Sequence, residues 1–208
     1  MGLLKDKVTV ILGASDSRSM GAAAARKCLA EGATVIIASR NEDKVKALAA
    51  ELGCEGHRCD IRSDDDLKAL ASHAVAHGGA LHVAMNFAGI EAASPVADIE
   101  RATLLDAADV HFAGTVMFIR FMTEQMADNG AIVTTSSQLA SLAAPGMAAY
   151  GGSKAGADHA VRIAANEYGA RGIRVNAIAP GFTPSAMTAA YLEMPSVEAA
   201  FRREIALP

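Results

Sequence analysis

Short runs of consecutive apolar, mostly β-branched residues alternate with longer alanine-rich stretches along the whole chain. The runs at 8–12, 34–38, 57–61, 81–86, 131–135 and 174–179 predict strands. Helices are predicted over 19–31, 41–52, 64–77, an extended stretch within 99–126, and 149–168. The strand runs are continuous instead of alternating, as expected for strands buried on both faces. This gives an α/β, single-domain architecture over 1–208, a doubly wound parallel sheet with helices on both faces. Such sheets bind ligands at the carboxyl ends of their strands. Glycine and proline gather there, at Gly13, at Gly89, at Pro145 and Gly146, and at Pro180 and Gly181. No internal repeat, low-complexity segment or linker divides the chain.

Composition narrows the function classes. The 208 residues are 51% hydrophobic and 20% charged, an ordinary globular balance that argues against disorder. No uninterrupted apolar run approaches the ~20 residues of a membrane span, and residues 1–7 lack the apolar stretch of a secretion signal, so a cytoplasmic protein is expected. A net charge of −4 with mixed signs gives no electrostatic case for nucleic acid or membrane partners. Cys28, Cys54 and Cys59 have no metal-binding or redox spacing and read as free thiols. His73 and His77 share a helix face near His82, but no carboxylate or cysteine completes a ligand set, so no metal is expected.

The most informative residues are Tyr150 and Lys154, with Ser137 at the end of an apolar strand run. Positions i and i+4 share a helix face, which places an ammonium beside a phenol. A phenol of pKa ~10 is a poor base at neutral pH. A neighbouring positive charge favours the phenolate and makes tyrosine usable as a proton donor or acceptor. Ser137 supplies a hydroxyl to hold a carbonyl or alcohol oxygen.

A second signal follows the first strand, where Gly13, Ala14, Ser15, Asp16, Ser17, Arg18, Ser19 and Met20 lead into a helix. A tight turn running into a helix amino terminus presents N–H groups suited to a pyrophosphate. The spacing is not Gly-x-Gly-x-x-Gly. At the end of the second strand Ser39, Arg40 and Asn41 stand where an NAD site places a carboxylate for the ribose hydroxyl. NADP(H) is therefore preferred over NAD(H), with Arg40 pairing with the 2′-phosphate and Arg18 assisting.

Taken in order, these motifs resemble the short-chain dehydrogenase/reductase family from Lys7 to about Ser185. Asn86, Phe87, Ala88 and Gly89 are similar to its Asn-Asn-Ala-Gly element. Ser136 and Ser137 end the fifth strand, Tyr150 to Lys154 matches Tyr-x-x-x-Lys, and Pro180 and Gly181 follow the sixth strand. The resemblance implies a Rossmann-type fold and gives each residue a role. Tyr150 is the general acid in reduction and base in oxidation, Lys154 lowers its pKa and bonds the nicotinamide ribose, and Ser137 orients the reacting oxygen. Asp60 and Ile61 flank the adenine, while Thr183 and Ser185 bond the nicotinamide amide.

Three departures qualify the likeness. The glycine loop is two residues longer than Thr-Gly-x-x-x-Gly-x-Gly and resembles that of the divergent enoyl-reductase branch. That branch spaces its tyrosine and lysine seven apart, and seven before Lys154 stands Met147, so ketone or alcohol chemistry is favoured. His111 occupies the usual place of an asparagine that helps to hold a water linking the lysine to solvent; it keeps that relay, alters its pH dependence or fills space. The family's last helix and strand have no counterpart before Pro208.

In the family the segment 182–208 forms a substrate lid. Here it carries Phe182, Met187, Tyr191, Leu192, Met194 and Phe201, which implies an apolar carbonyl or alcohol substrate or packing on a neighbour. Gly151, Ala155, Ala157 and Ala160 give one helix a small-residue face that resembles the family's oligomer contact, so a homotetramer or dimer is expected. The competing reading is an NADP(H)-binding sensor or scaffold that keeps the fold and has lost turnover.

Overall fold

A computed structural model describes residues 2–185 and 188. Six strands form one sheet in the order β3-β2-β1-β4-β5-β6, and every pair is parallel. They are β1 (Val8–Leu12), β2 (Thr34–Ser39), β3 (Glu55–Arg58), β4 (Leu81–Asn86), β5 (Met126–Thr135) and β6 (Arg174–Ile178). The helices are α1 (Met20–Ala30), α2 (Glu42–Leu52), α3 (Asp64–Gly78), α4 (Arg101–Ala108), α5 (Gly114–Gln125) and α6 (Ala148–Tyr168). Chain order reverses between β1 and β4, and a crevice opens there at the carboxyl ends of the strands.

Two cores explain the continuous apolar strands. Val10, Leu12, Ile36 and Ile132 face a core completed by α3, α5 and α6 through Leu67, Leu70, Phe118, Met122 and Val161. Ile11, Val35 and Ile37 point the other way, onto Ala22, Ala25, Val45 and Leu48 of α1 and α2. β1 and nearly all of β2 thus bury both faces, and period-two alternation cannot appear in their sequences, whereas the edge strands β3 and β6 stay partly exposed.

The boundaries depart from the hydrophobic runs where polar residues pair. β3 begins at Glu55, not 57, because Ile36 pairs with Glu55 and Ser39 with Arg58. Its ladder closes when the Cys59 N–H reaches the Ser39 carbonyl, which leaves Asp60 and Ile61 in the following loop. The extended helix is interrupted by a π-helical turn at Asp109–Ala113, with His111 at its centre. By length and mean hydropathy the combined helix Arg101–Gln125 would suffice to span a bilayer. Here Phe118, Ile119, Phe121 and Met122 lie in the core between strands and α3.

Candidate active site

At the topological switch, a cleft of about 540 Å³ is lined by Gly13, Ser15, Asp16, Ser19, Met20, Ser39, Arg40, Asn41, Lys44, Asp60, Ile61, Ala88, Gly89 and Ser185, among others. Its floor requires glycine. Gly13 has φ +92°, and a Cβ there would stand 2.4 Å from the Phe87 carbonyl carbon. The turn brings the β1 loop against the β4 loop and directs the chain into α1, where the Ser19 side chain caps the Ala22 N–H at 3.1 Å. A bare turn, a helix opening and a polar wall fit the pyrophosphate and ribose of a dinucleotide.

Not every expected cofactor residue reaches the cleft. Asp16 Oδ1 accepts from the Arg18 N–H at 2.8 Å and faces Arg18 Nε at 3.4 Å. Arg18 is thereby turned along its own loop, and neither it nor Ser17 lines the cavity. Asn86 is buried: its Nδ2 donates to Thr115 Oγ1 at 3.2 Å, and its Oδ1 accepts from the Ala88 N–H at 2.9 Å. It shapes the loop of Phe87, Ala88 and Gly89 without lining the cleft. Pro180, Gly181 and Thr183 also lie outside the lining. Pro180 accepts from the Gln138 N–H at 3.1 Å, which ties the β6 loop to the end of β5. Ser185 hydrogen-bonds Thr188 at 3.0 Å. Met187, Tyr191, Leu192, Met194 and Phe201 lie outside the described residues.

Beyond Gly89, the end of β5, the π turn and the start of α6 converge. Ser137 opens a short 3₁₀ turn and accepts from the Leu139 N–H at 3.2 Å. Lys154 is only 4% exposed, and its Nζ donates to the Thr135 carbonyl at 2.6 Å, 5.9 Å from the centre of the Tyr150 ring. The His111 ring meets Tyr150 edge-on, with centroids 5.1 Å apart. A Cβ at Gly89 would lie 3.4 Å from His111 Nε2 and 3.9 Å from Lys154 Nζ, so this glycine joins the cleft to the cluster.

Charge behaves differently here from the simple Tyr-Lys expectation. Burial pushes the Tyr150 phenol above its ordinary value, with the Ser137 hydroxyl pulling the other way. Burial also draws Lys154 down to about 8, opposed by Asp158. His111, 1% exposed, is held down to about 4 by burial and then by the Lys154 charge, so it does not titrate near neutrality. Its Nε2 accepts from the Ile90 N–H at 3.0 Å, which leaves the proton of the neutral ring on Nδ1. That nitrogen lies 2.9 Å from Ser153 Oγ, which donates to the Tyr150 carbonyl at 2.9 Å. Both ring nitrogens are occupied by protein groups, and neither is left to carry a water.

A family profile described as "Enoyl-(Acyl carrier protein) reductase" matches residues 13–208. The 2,5-dichloro-2,5-cyclohexadiene-1,4-diol dehydrogenase of Sphingobium indicum is 32% identical over 187 residues, 87% of this chain and 74% of that protein. The cis-4-hydroxycyclohexanecarboxylate dehydrogenase of Sinomonas cyclohexanicum is 33% identical over 192 residues, 88% and 76% of the two chains. A crystal structure of a short chain dehydrogenase from Burkholderia cenocepacia J2315, in complex with NADP, superposes with a TM-score of 0.87 at 26% identity, covering 96% of this chain and 83% of that one. The chain belongs to the short-chain dehydrogenase/reductase family. It is an oxidoreductase of the dehydrogenase/reductase type, acting on alcohol or ketone groups, and the family binds NAD(P).

Several residues of this dehydrogenase/reductase site were missed by sequence reasoning. Lys44 sits in the first turn of α2, where the Asn41 cap on its N–H places it on the cleft wall. Thr135 meets Lys154 through its carbonyl, which carries no sequence signature. Ser153 and Asp158 stand at i+3 from Tyr150 and i+4 from Lys154, and those spacings were the available signal.

Proposed function

We propose that the protein is an NADP(H)-dependent dehydrogenase that interconverts a cyclic secondary alcohol and its ketone. The observation that carries this reading is the convergence of Ser137, Tyr150 and Lys154 on the rim of a dinucleotide-sized cleft, joined to it through Gly89. When bound, the nicotinamide supplies or accepts the hydride. The protein's own groups handle the oxygen and its proton. Ser137 holds the substrate oxygen, and Tyr150 gives it a proton in reduction or removes one in oxidation. A phenol raised by burial is fully protonated at neutral pH, which suits the donor role. Lys154 keeps a positive charge near the phenol and would hold the ribose of a bound coenzyme, while His111 braces the Ile90 main chain against α6.

Tyrosine and lysine four apart on α6 favour carbonyl chemistry over reduction of a carbon-carbon double bond, despite the name of the matching profile. The diol and hydroxycyclohexane dehydrogenases among its relatives support a ring substrate. Exposed Leu142 and Phe182, on the loops after β5 and β6, support an apolar one. For the coenzyme, Arg40 and Lys44 line the wall at the end of β2, whose own tip carries no carboxylate; Asp60 lines the same cleft and acts on Arg40 through its charge, without an ion pair between them. A cavity of about 380 Å³ between α4 and α6, lined by Leu104, Leu105, Phe112, Gly152 and Gly156, supports association with a second copy. It runs over Gly152 and Gly156; Gly151 and Ala157 of the expected face turn inward.

The test is coenzyme absorbance with a panel of cyclic ketones and alcohols, beside Tyr150→Phe. Wild type should turn over at least one, and the variant should lose ~10²-fold or more while still binding NADPH. Tight NADPH binding without turnover of any member would favour the sensor reading.

A further inference from the structure

Lys154 is a buried cation whose Nζ has one hydrogen-bond partner among the described residues, the neutral Thr135 carbonyl. Every element packed around it shows what else faces it. From the β4 loop comes uncharged Gly89, and from the π turn comes His111, whose two nitrogens are taken by Ile90 and Ser153. From α6 come the Tyr150 phenol and, one turn beyond the lysine, Asp158. Among the described residues Asp158 is the only anion in this surround. It is not left to swing into solvent: Ser136, 3% exposed and adjacent to Thr135, donates its hydroxyl to Asp158 Oδ2 at 2.6 Å.

We propose that Asp158 is a positioning residue: anchored by Ser136, it is the counter-charge that lets Lys154 remain an ammonium inside the protein, and through Lys154 it sets the working range of Tyr150. This rests on the dehydrogenase reading for its catalytic consequence, but not for its electrostatics. Burial disfavours a charged lysine, and an anion one helical turn away opposes that penalty. The serine fixes the distance at which the anion acts. It does so from β5, the strand whose end supplies both the Lys154 acceptor and Ser137. Strand and helix therefore hold the two charges in register without an ion pair between them, Lys154 on the Thr135 carbonyl and Asp158 on the Ser136 hydroxyl. Ser136 and Ser137 divide the labour, with the first tethering the anion and the second facing Tyr150.

The experiment follows the Lys154 side-chain amine directly, by ¹³Cε and ¹⁵Nζ chemical shift in lysine-labelled protein, with Lys154→Arg for assignment. Wild type is expected to titrate near about 8. In Asp158→Asn, which keeps an oxygen for Ser136 but no charge, the midpoint should fall by roughly one pH unit. Ser136→Ala should lower it by less, and Asp158→Glu should restore it. In kinetics, the alkaline limb of kcat/KM for alcohol oxidation should move down with the midpoint. A purely structural Asp158 would lower Tm and leave the titration unmoved, and that result overturns the proposal. If Asp158→Asn does not fold, Asp158→Ser removes the same charge and should lower the midpoint likewise. Loss of the dehydrogenase reading would show separately, as NADPH binding by the wild type without turnover of any ketone or alcohol, because the titration needs no substrate.

Discussion

Lys154 gives its ammonium to the carbonyl of Thr135 over 2.6 Å, and not to the phenol of Tyr150, whose ring centre lies 5.9 Å away. The lysine is thus held by the end of the strand that also presents Ser137. An arginine cannot enter this slot, since its planar fork needs more room than a side chain 4% exposed is given. Lys154→Arg is expected to lower kcat/KM by ~10²-fold or more, measured by coenzyme absorbance.

The same burial sets a pH profile. Alcohol oxidation should rise with pH as the Tyr150 proton becomes easier to remove. It should fall again above about 8 as Lys154 loses its charge. Initial rates from about pH 6 to about pH 10 check this, and an oxidation rate that climbs without a downturn would contradict the role given to Lys154.

Acid should destabilise the fold through His111. Its folded value is about 4, whereas an unfolded histidine takes its proton at 6.5. Between these limits the unfolded chain binds more protons, so stability falls as pH drops from 6.5 towards 4 and is unaffected above. The full effect is on the order of 3 kcal/mol. His111→Asn should flatten the fall in thermal midpoint across that window; equal slopes for the two proteins would show that the imidazole is not the sensitive group.

Coenzyme choice should rest on Arg40. Removing one charge-assisted partner of a 2′-phosphate weakens binding by about 1.5–3 kcal/mol, or roughly 10-fold to 100-fold. Arg40→Ala should weaken NADPH by that factor and leave NADH nearly unchanged in fluorescence titrations. Equal losses for both coenzymes would place Arg40 away from the 2′ position.

Gly13→Ala combines an unfavourable positive φ with a Cβ 2.4 Å from the Phe87 backbone. It should cost ~2 kcal/mol or more in denaturant unfolding and weaken coenzyme binding together. A stable variant with normal binding would show that the two loops can separate freely.

Much of this was readable from residue order alone. Continuous apolar runs located β1 and β4 to the residue, and the helices expected from 19 and 41 begin one residue later, at Met20 and Glu42, with Ser19 and Asn41 as their caps. β3 was displaced because Glu55 and Gly56 pair on the sheet edge without an apolar signal. The π turn was invisible, since Asp109 to Ala113 differs from α-helix only in which carbonyl each N–H meets.

Sequence by itself determined the β-α alternation, the family and the pairing of Tyr150 with Lys154, because these depend on local periodicity and fixed spacing along one helix. Only the tertiary structure decided what surrounds that pair. Burial raises the phenol, lowers the lysine and silences His111, and burial depends on elements far apart in the chain. The proximity of Asp158 to Lys154 is written in their spacing; that Ser136 of β5 holds it there is not.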